Sequence, residues 1–171
     1  ALSSLPGGVM RALILALSLL IHVSVAEAWG RTIVDVQGRS NDIPETVRQV
    51  ICSGAGSLRL LTYLQGQDLA VAVDDIEGRR NQFDARPYAL ANPHFKDLPI
   101  FGEFRGKDNP ERILSLPRAP EVILKAVSTT QGAAGLLPDK LQDKTGIAVV
   151  VLTTGNLAAQ RLVFHWQGQT L

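Results

Sequence analysis

Short apolar runs alternate with helical patterns along most of this chain. Five runs have the length and the β-branched content of covered strands, at residues 50–52, 69–73, 98–101, 120–126 and 147–152. Between them, apolar residues recur at helical spacing, as Leu58, Leu61 and Leu64 do. An alternating stretch at 32–36 before a turn at Gly38 predicts a hairpin. The pattern predicts an α/β fold, a Rossmann-like lobe with a mostly parallel sheet flanked by helices.

A glycine turn follows the first buried run. Gly54 and Gly56 tolerate positive φ angles, and Ser57 is expected to cap the helix that follows. Such a loop lies at the carboxyl edge of a parallel sheet, where α/β folds bind ligands. A dinucleotide fingerprint would need glycine in place of Arg59, so the turn is interpreted as a ligand-binding edge without a nucleotide. An ordinary strand–helix turn remains the alternative.

The amino-terminal residues have the layout of a secretory signal peptide. Arg11 precedes an apolar run at 12–21, and Ala26 and Ala28 form a small-x-small cleavage site. The run is shorter than the ~20 residues of a spanning helix. We therefore expect residues 1–28 to be a signal peptide and the protein to be periplasmic, or membrane-anchored if the peptide stays uncleaved.

Composition narrows the classes of function. The chain has 171 residues, 46% of them hydrophobic, and a formal net charge of +1, which predicts one packed domain without a nucleic-acid-binding stripe. Its one cysteine, Cys52, lies in a predicted strand and is interpreted as a core residue. No His/Asp/Glu cluster has metal-ligand spacing and no nucleophile–base pair is evident, so we expect no metal site, no cofactor and no catalytic residues.

Three stretches carry a resemblance to a known family. They are residues 31–39 followed by Ile43 and Pro44, residues 47–54, and residues 109–116 followed by 120–124. Their order and spacing resemble the amino-terminal lobe of periplasmic binding proteins of the iron-siderophore and cobalamin ABC transporter family. The resemblance implies a lobe at 29–157, and we expect residues 158–171 to be an atypical or truncated tail.

The resemblance also implies a function. Members of that family hold ligand between two lobes, so this chain is expected to capture a metal chelate (an iron-siderophore, cobalamin or haem-like) and deliver it to ABC permease membrane subunits. A full two-lobe protein is expected to be a monomer. Glu111 matches the position of the family's permease-docking carboxylate. The alternatives are an exported α/β enzyme acting on a phosphorylated or anionic substrate, or a truncated lobe without a function of its own.

The predicted ligand-binding residues come from loops at one sheet edge. They are Ser53, Gly54, Ala55, Gly56, Ser57, Arg59, Arg79, Tyr88, Glu103 and Arg105, with the charged loop at 74–80, including Arg80, and with Gly102 and Phe104 beside them. An arginine guanidinium can form bidentate hydrogen bonds with the carboxylates or phosphates of an anionic chelate, and a tyrosine ring can stack on a planar ligand. The alternative is a set of solvated surface charges, with Tyr88 half-buried on a helix.

Overall fold

The computed structural model describes residues 30–78, 86–104, 107–127 and 137–153. In chain order the strands are β1 Gly30–Val34, β2 Ser40–Pro44, β3 Val50–Ser53, β4 Ala70–Asp74, β5 Ile100–Glu103, β6 Lys107–Asp108, β7 Val122–Val127 and β8 Ala148–Thr153. The α-helices are α1 Ser57–Tyr63, α2 Asp75–Gly78, α3 Pro87–Ala91, α4 Pro110–Leu114 and α5 Pro138–Thr145, with 3₁₀ turns at Gln67–Leu69 and Pro93–Asp97. The predicted signal segment and tail lie outside the described residues, as do Arg79, Arg80 and Arg105.

Six strands form one sheet in the order β6-β5-β4-β3-β7-β8. The neighbouring strands are parallel except for β5 and β6, which are antiparallel. From β3 the chain continues through β4 and β5 toward one side of the sheet, whereas β7 and β8 extend it toward the other. The winding therefore changes direction between β3 and β7, and the predicted α/β fold is confirmed.

Helices cover both faces of this sheet. On one face, Leu61 of α1 packs in the same core cluster as Val50 of β3. On the other, Ile113 of α4 and Leu141 of α5 share a cluster with Ile51, the next residue of β3. Consecutive strand residues point to opposite faces, so a strand covered on both sides must be apolar along its length. This is why β3 and β4 form continuous apolar runs in the sequence.

The predicted hairpin is also confirmed. Strands β1 and β2 pair antiparallel, with Gly30 opposite Pro44 and Val34 opposite Ser40. The chain reverses at Gly38, whose φ of 78° is in the left-handed region that favours glycine.

Asp35 holds this hairpin against β8. Its buried carboxylate accepts hydrogen bonds from the backbone N–H groups of Gln37 and Arg39, each at 3.0 Å, and from the N–H of Val151 in β8 at 3.2 Å. The Arg39 guanidinium lies 3.3 Å from the same carboxylate and donates to the carbonyl oxygen of Val149 at 3.0 Å. Strand β8 is at the edge of the sheet, and these contacts occupy two of its backbone groups, the carbonyl oxygen of Val149 and the N–H of Val151. An edge strand whose backbone groups are occupied is protected from pairing with another chain.

Two predicted helix boundaries were wrong. Ser57 does not cap α1: the N-cap is Gly56, and no side chain bonds to the free N–H groups there. At the other end Gly66 is the residue type expected at a left-handed helix stop, but the left-handed residue is Gln65, with a φ of 59°. Gly66 instead packs closely, because a Cβ on it would lie 2.7 Å from a side-chain methyl of Leu61.

The other boundaries differ from the prediction at α2 and β5 and agree with it at α4. The predicted loop after residue 74 begins with helix α2, and Gly102 and Glu103 belong to β5 and not to a loop. The sequence offers Asn109 or Asp108 as the cap of a helix that begins at Pro110, and the structure shows Asn109 in this role, because its side chain accepts from the N–H of Arg112 at 2.9 Å. Among the helices of the described residues, none combines the length and the apolar content that crossing a membrane requires.

Candidate functional site

The parallel strands β3, β4, β5, β7 and β8 all end at one edge of the sheet, which we call the carboxyl edge. Strand β3 lies between β4 and β7. The chain leaves β4 toward β5 on one side of the sheet, and it leaves β7 toward β8 on the other side. A crevice forms at such a reversal in open α/β sheets, and it is where they bind ligands. The glycine turn after β3 lies at this point.

Glycine is required in this turn for two reasons. Gly54 and Gly56 have φ angles of 86° and 88°, in the left-handed region. In addition, a Cβ on Gly54 would lie 2.5 Å from the carbonyl oxygen of Ala126 in β7. The turn is therefore pressed against the neighbouring strand, while Ala55 at its tip is exposed at the carboxyl edge.

The two serines that flank the turn are buried and serve the fold. The Ser57 hydroxyl donates to the carbonyl oxygen of Leu124 at 2.8 Å. The Ser53 hydroxyl accepts from the ammonium of Lys125 at 3.2 Å. Both serines are fully buried, with 0% of their surface exposed, so their hydroxyls tie the turn to β7.

The ion pair of Lys125 with Asp108 was not predicted from the sequence. The ammonium lies 2.5 Å from the Asp108 carboxylate, and the two side chains are 4% and 1% exposed. This pair joins β7, the strand next to one edge of the sheet, to β6 at the opposite edge. A single lysine inside an otherwise apolar strand was the available signal, because a buried charge requires a partner.

Asp74 is the last residue of β4 and lies beside the turn. It is 8% exposed, and its Oδ1 receives no hydrogen bond from the described residues. Burial, together with the neighbouring Glu77 carboxylate, raises the pKa of Asp74 to about 7, against the opposing effect of the Ile76 N–H. The fold therefore favours the protonated form of this carboxyl more than water does.

Glu77, Arg86 and Tyr88 form a network next to Asp74. One oxygen of the buried Glu77 accepts from Arg86 at 2.8 Å and from the Tyr88 hydroxyl at 2.7 Å. The guanidinium also lies 5.7 Å from the centroid of the Tyr88 ring. Burial, and then the bond to Glu77, raise the pKa of the Tyr88 hydroxyl above its usual range. Tyr88 thus lies half-buried on its helix, and Arg86 is a residue that sequence reasoning missed.

The remaining predicted residues are placed separately. Arg59 is exposed in the first turn of α1, and Glu111 is exposed in the first turn of α4. Glu103 is exposed at the end of β5, where it lies 3.4 Å from the ammonium of Lys107. The structure therefore brings the glycine turn, α2 and the end of β5 to one edge of the sheet, and Glu111 lies on a helix that packs against one face.

Cysteine and the potential metal ligands are the remaining candidates for chemistry among the described residues. Burial raises the pKa of the Cys52 thiol to about 12, so this side chain is a protonated core residue. Within the described ranges, no group of three or more His, Cys, Asp or Glu side chains is arranged to hold a metal ion.

The fold is shared with solute-binding proteins. The structure superimposes on an ABC transporter solute-binding protein from Sulfurospirillum deleyianum with a TM-score of 0.58 and 21% identity, over 81% of this chain and 41% of that one. A periplasmic solute-binding protein from Veillonella parvula gives 0.59 and 14%, over 82% and 40%. The molybdate periplasmic binding protein MolA of Haemophilus influenzae gives 0.55 and 18%, over 72% and 34%.

These similarities establish the fold of one lobe. The chain spans less than half the length of each of these proteins. No protein-family model matches the sequence, and no curated protein matches it.

Proposed function

We propose that this chain is the amino-terminal lobe of the substrate-binding component of an ABC importer, which captures a metal chelate in the periplasm and delivers it to a membrane permease. The observation that carries the proposal is the lobe fold shared with solute-binding proteins over about four fifths of the chain. The reversal of strand order at the glycine turn supports a binding crevice at the carboxyl edge.

The carboxyl edge offers a surface for binding. Ala55 is exposed at the tip of the turn, and the tie of Ser53 and Ser57 to β7 holds the turn in one conformation. A preformed edge lowers the conformational cost of binding. The predicted arginines Arg59, Arg79 and Arg105 remain part of this proposal as contacts to the acidic groups of a chelate.

Binding is favoured over the enzymatic alternative at this loop. A serine nucleophile must have its hydroxyl accessible and next to a general base. The Ser57 hydroxyl is instead buried and donates to a backbone carbonyl oxygen. A substrate at the glycine turn would therefore meet backbone and small side chains.

Docking on the permease is proposed through α4. Glu111 lies in the first turn of this helix, is exposed, and is held in a capped geometry by Asn109. A carboxylate on a fixed, exposed helix end suits a basic partner surface.

The thermal unfolding of the full chain against a panel of ferric siderophores, haem, corrinoids and molybdate tests this proposal. We expect one class to raise the midpoint by several degrees at saturating concentration. Ala55→Trp places a bulky side chain at the carboxyl edge and should abolish the shift. Ala119→Trp is the matched control, because Ala119 is exposed before β7 at the opposite edge, and it should keep the shift. No shift with any class, or equal loss in both variants, would contradict the proposal.

A further inference from the structure

One buried ammonium connects the two elements to which the proposed function gives roles. Ser53, which accepts from the Lys125 ammonium at 3.2 Å, is the last residue of β3 and precedes the glycine turn. Asp108, which lies 2.5 Å from the same ammonium, is the last residue of β6 and precedes Asn109, the N-cap of α4. The ammonium therefore contacts both the residue before the turn and the residue before the docking helix.

The position of Asp108 shows that β6 is not in line with a flat sheet. Three strands lie between β6 and β7 in the sheet order, and neighbouring strands are ~4.8 Å apart, so a flat sheet would separate the two by ~19 Å. A lysine and an aspartate side chain are together too short for that distance. The chain at β6 and at the start of α4 must therefore curve over the sheet, toward the strands that border the glycine turn.

The side chains of this group point to the face that α4 covers. Ser53 follows Ile51 by two residues in β3, so the two side chains share one face of the sheet. Lys125 follows Ile123 by two residues in β7 and shares the same face. Ile51 and Ile123 belong to one core cluster with Ile113 of α4. The contacts from Lys125 to the turn and to the helix are therefore made inside the protein, away from water.

Asp108 has no other partner for its charge among the described residues. Its side chain is 1% exposed, and its second oxygen, Oδ1, receives no hydrogen bond there. The backbone at this point is also confined, because a Cβ on Gly102 would lie 2.8 Å from the carbonyl oxygen of Lys107 and 3.2 Å from the Cα of Asp108. Separating a buried carboxylate from its cation is strongly unfavourable. A displacement of the ammonium is therefore expected to displace Asp108 with it.

We propose that Lys125 is a positioning residue that couples the glycine turn to the first turn of α4. A ligand that displaces the turn displaces the ammonium, and the ammonium displaces Asp108 and the start of the helix that carries Glu111. The inference rests on the proposed function for its purpose, since it gives the binding edge a means of presenting its liganded state to the permease. Coupling between two sites is reciprocal, so a change at the helix must also reach the turn.

Hydrogen exchange of the ligand-free full chain tests this coupling and needs no identified chelate. Asn109→Ala removes the cap of α4 and leaves the ion pair in place. The amides at 57–60, directly after the turn, should then exchange about threefold faster, because elements that share one network do not respond independently. The amides at 40–44 in the hairpin should keep their rate. In the reverse direction, Gly54→Ala should accelerate the amides at 112–115 by a similar factor.

Two backgrounds separate the ion pair from the rest of the fold. Lys125→Met combined with Asp108→Leu replaces the buried pair by apolar side chains and leaves no unpaired charge. In this background the effect of Asn109→Ala at 57–60 should fall below about 1.5-fold. Arg39→Met is the matched control, because it removes another cation from a buried carboxylate, and it should keep the threefold effect.

Each outcome has a defined meaning. Unchanged exchange at 57–60 when Asn109→Ala is made in the unmodified chain overturns the inference, and so does an acceleration that survives the loss of the ion pair. An acceleration that extends to the hairpin reports general unfolding and also overturns it. If the double replacement does not fold, Ser53→Ala serves, because it keeps the ion pair and removes only the hydroxyl that joins it to the turn. The ligand panel is a separate measurement, so its failure would overturn the proposed function and not the coupling.

Discussion

Replacing Asp74 by asparagine should remove a loss of stability that the unmodified protein undergoes as pH rises toward neutral. The fold raises the pKa of this carboxyl from an ordinary value of 3.8 to about 7, first through burial and then through the charge of Glu77. The folded state therefore prefers the protonated form. The charge on this carboxyl therefore lowers the stability of the unmodified protein by an amount that grows as pH rises from 3.8 to 7 and is complete above pH 7.

The size of this effect follows from the two pKa values. One pKa unit corresponds to ~1.4 kcal/mol, so the change from 3.8 to about 7 corresponds to ~4 kcal/mol. Asparagine keeps an oxygen that can accept from the N–H of Ile76, but it has no proton to lose in this range. Any constant effect of the new amide on packing cancels when the two proteins are compared at two pH values.

Urea unfolding at pH 4 and at pH 7.5 measures the difference. The stability of Asp74→Asn minus that of the unmodified chain should increase by ~4 kcal/mol between these values. Glu103→Gln, which alters an exposed carboxylate at the same edge, should show a nearly constant difference. A constant difference for Asp74→Asn, within ~1 kcal/mol, would refute the reasoning that burial holds this carboxyl neutral.

Three further substitutions test the structure around the site. Asp35→Asn should lower the free energy of unfolding by ~2 kcal/mol, measured by urea titration, because an amide cannot accept all the hydrogen bonds that the buried carboxylate takes from backbone N–H groups and from Arg39, although Arg39 keeps its second partner Asp139; a loss below ~0.5 kcal/mol would contradict the role given to this residue. Gly54→Ala should destabilise by at least ~2 kcal/mol, since it combines a positive φ with a clash against Ala126, and unchanged thermal unfolding would refute the close approach. Asn109→Ala should lower stability by ~1 kcal/mol through loss of the α4 cap, whereas Asn109→Asp keeps an accepting oxygen and should change it little.

Much of the fold could be predicted because it depends on local pattern. The core strands of a parallel sheet are apolar along their length, so β3, β4, β7 and β8 were evident as runs. The turn at Gly54 and the Asn109 cap were also predictable, because positive φ angles and free N–H groups favour particular residue types. Strand ends and the exact stops of helices were less certain, as Gln65 shows, because tertiary packing decides them.

The polar part of the site depends on contacts between residues far apart in the chain. Lys125 meets Ser53 and Asp108, and Asp35 meets the N–H of Val151, 116 residues away. The sequence shows only that a charged residue stands inside an apolar strand, and it does not identify the partner. The unsatisfied oxygen of Asp74 could not be predicted either, because it is a property of the folded packing.

Hydrogen exchange of the full chain, with and without the chelate that gives the largest thermal shift, tests the central claim most directly. The account predicts that bound ligand slows exchange of the amides at 54–57 and 74–78 on the carboxyl edge. Amides at 116–121, at the opposite edge, should exchange at the same rate in both states. Slowed exchange confined to 116–121 or to the hairpin, or no change anywhere with a chelate that binds, would contradict a binding site at the carboxyl edge.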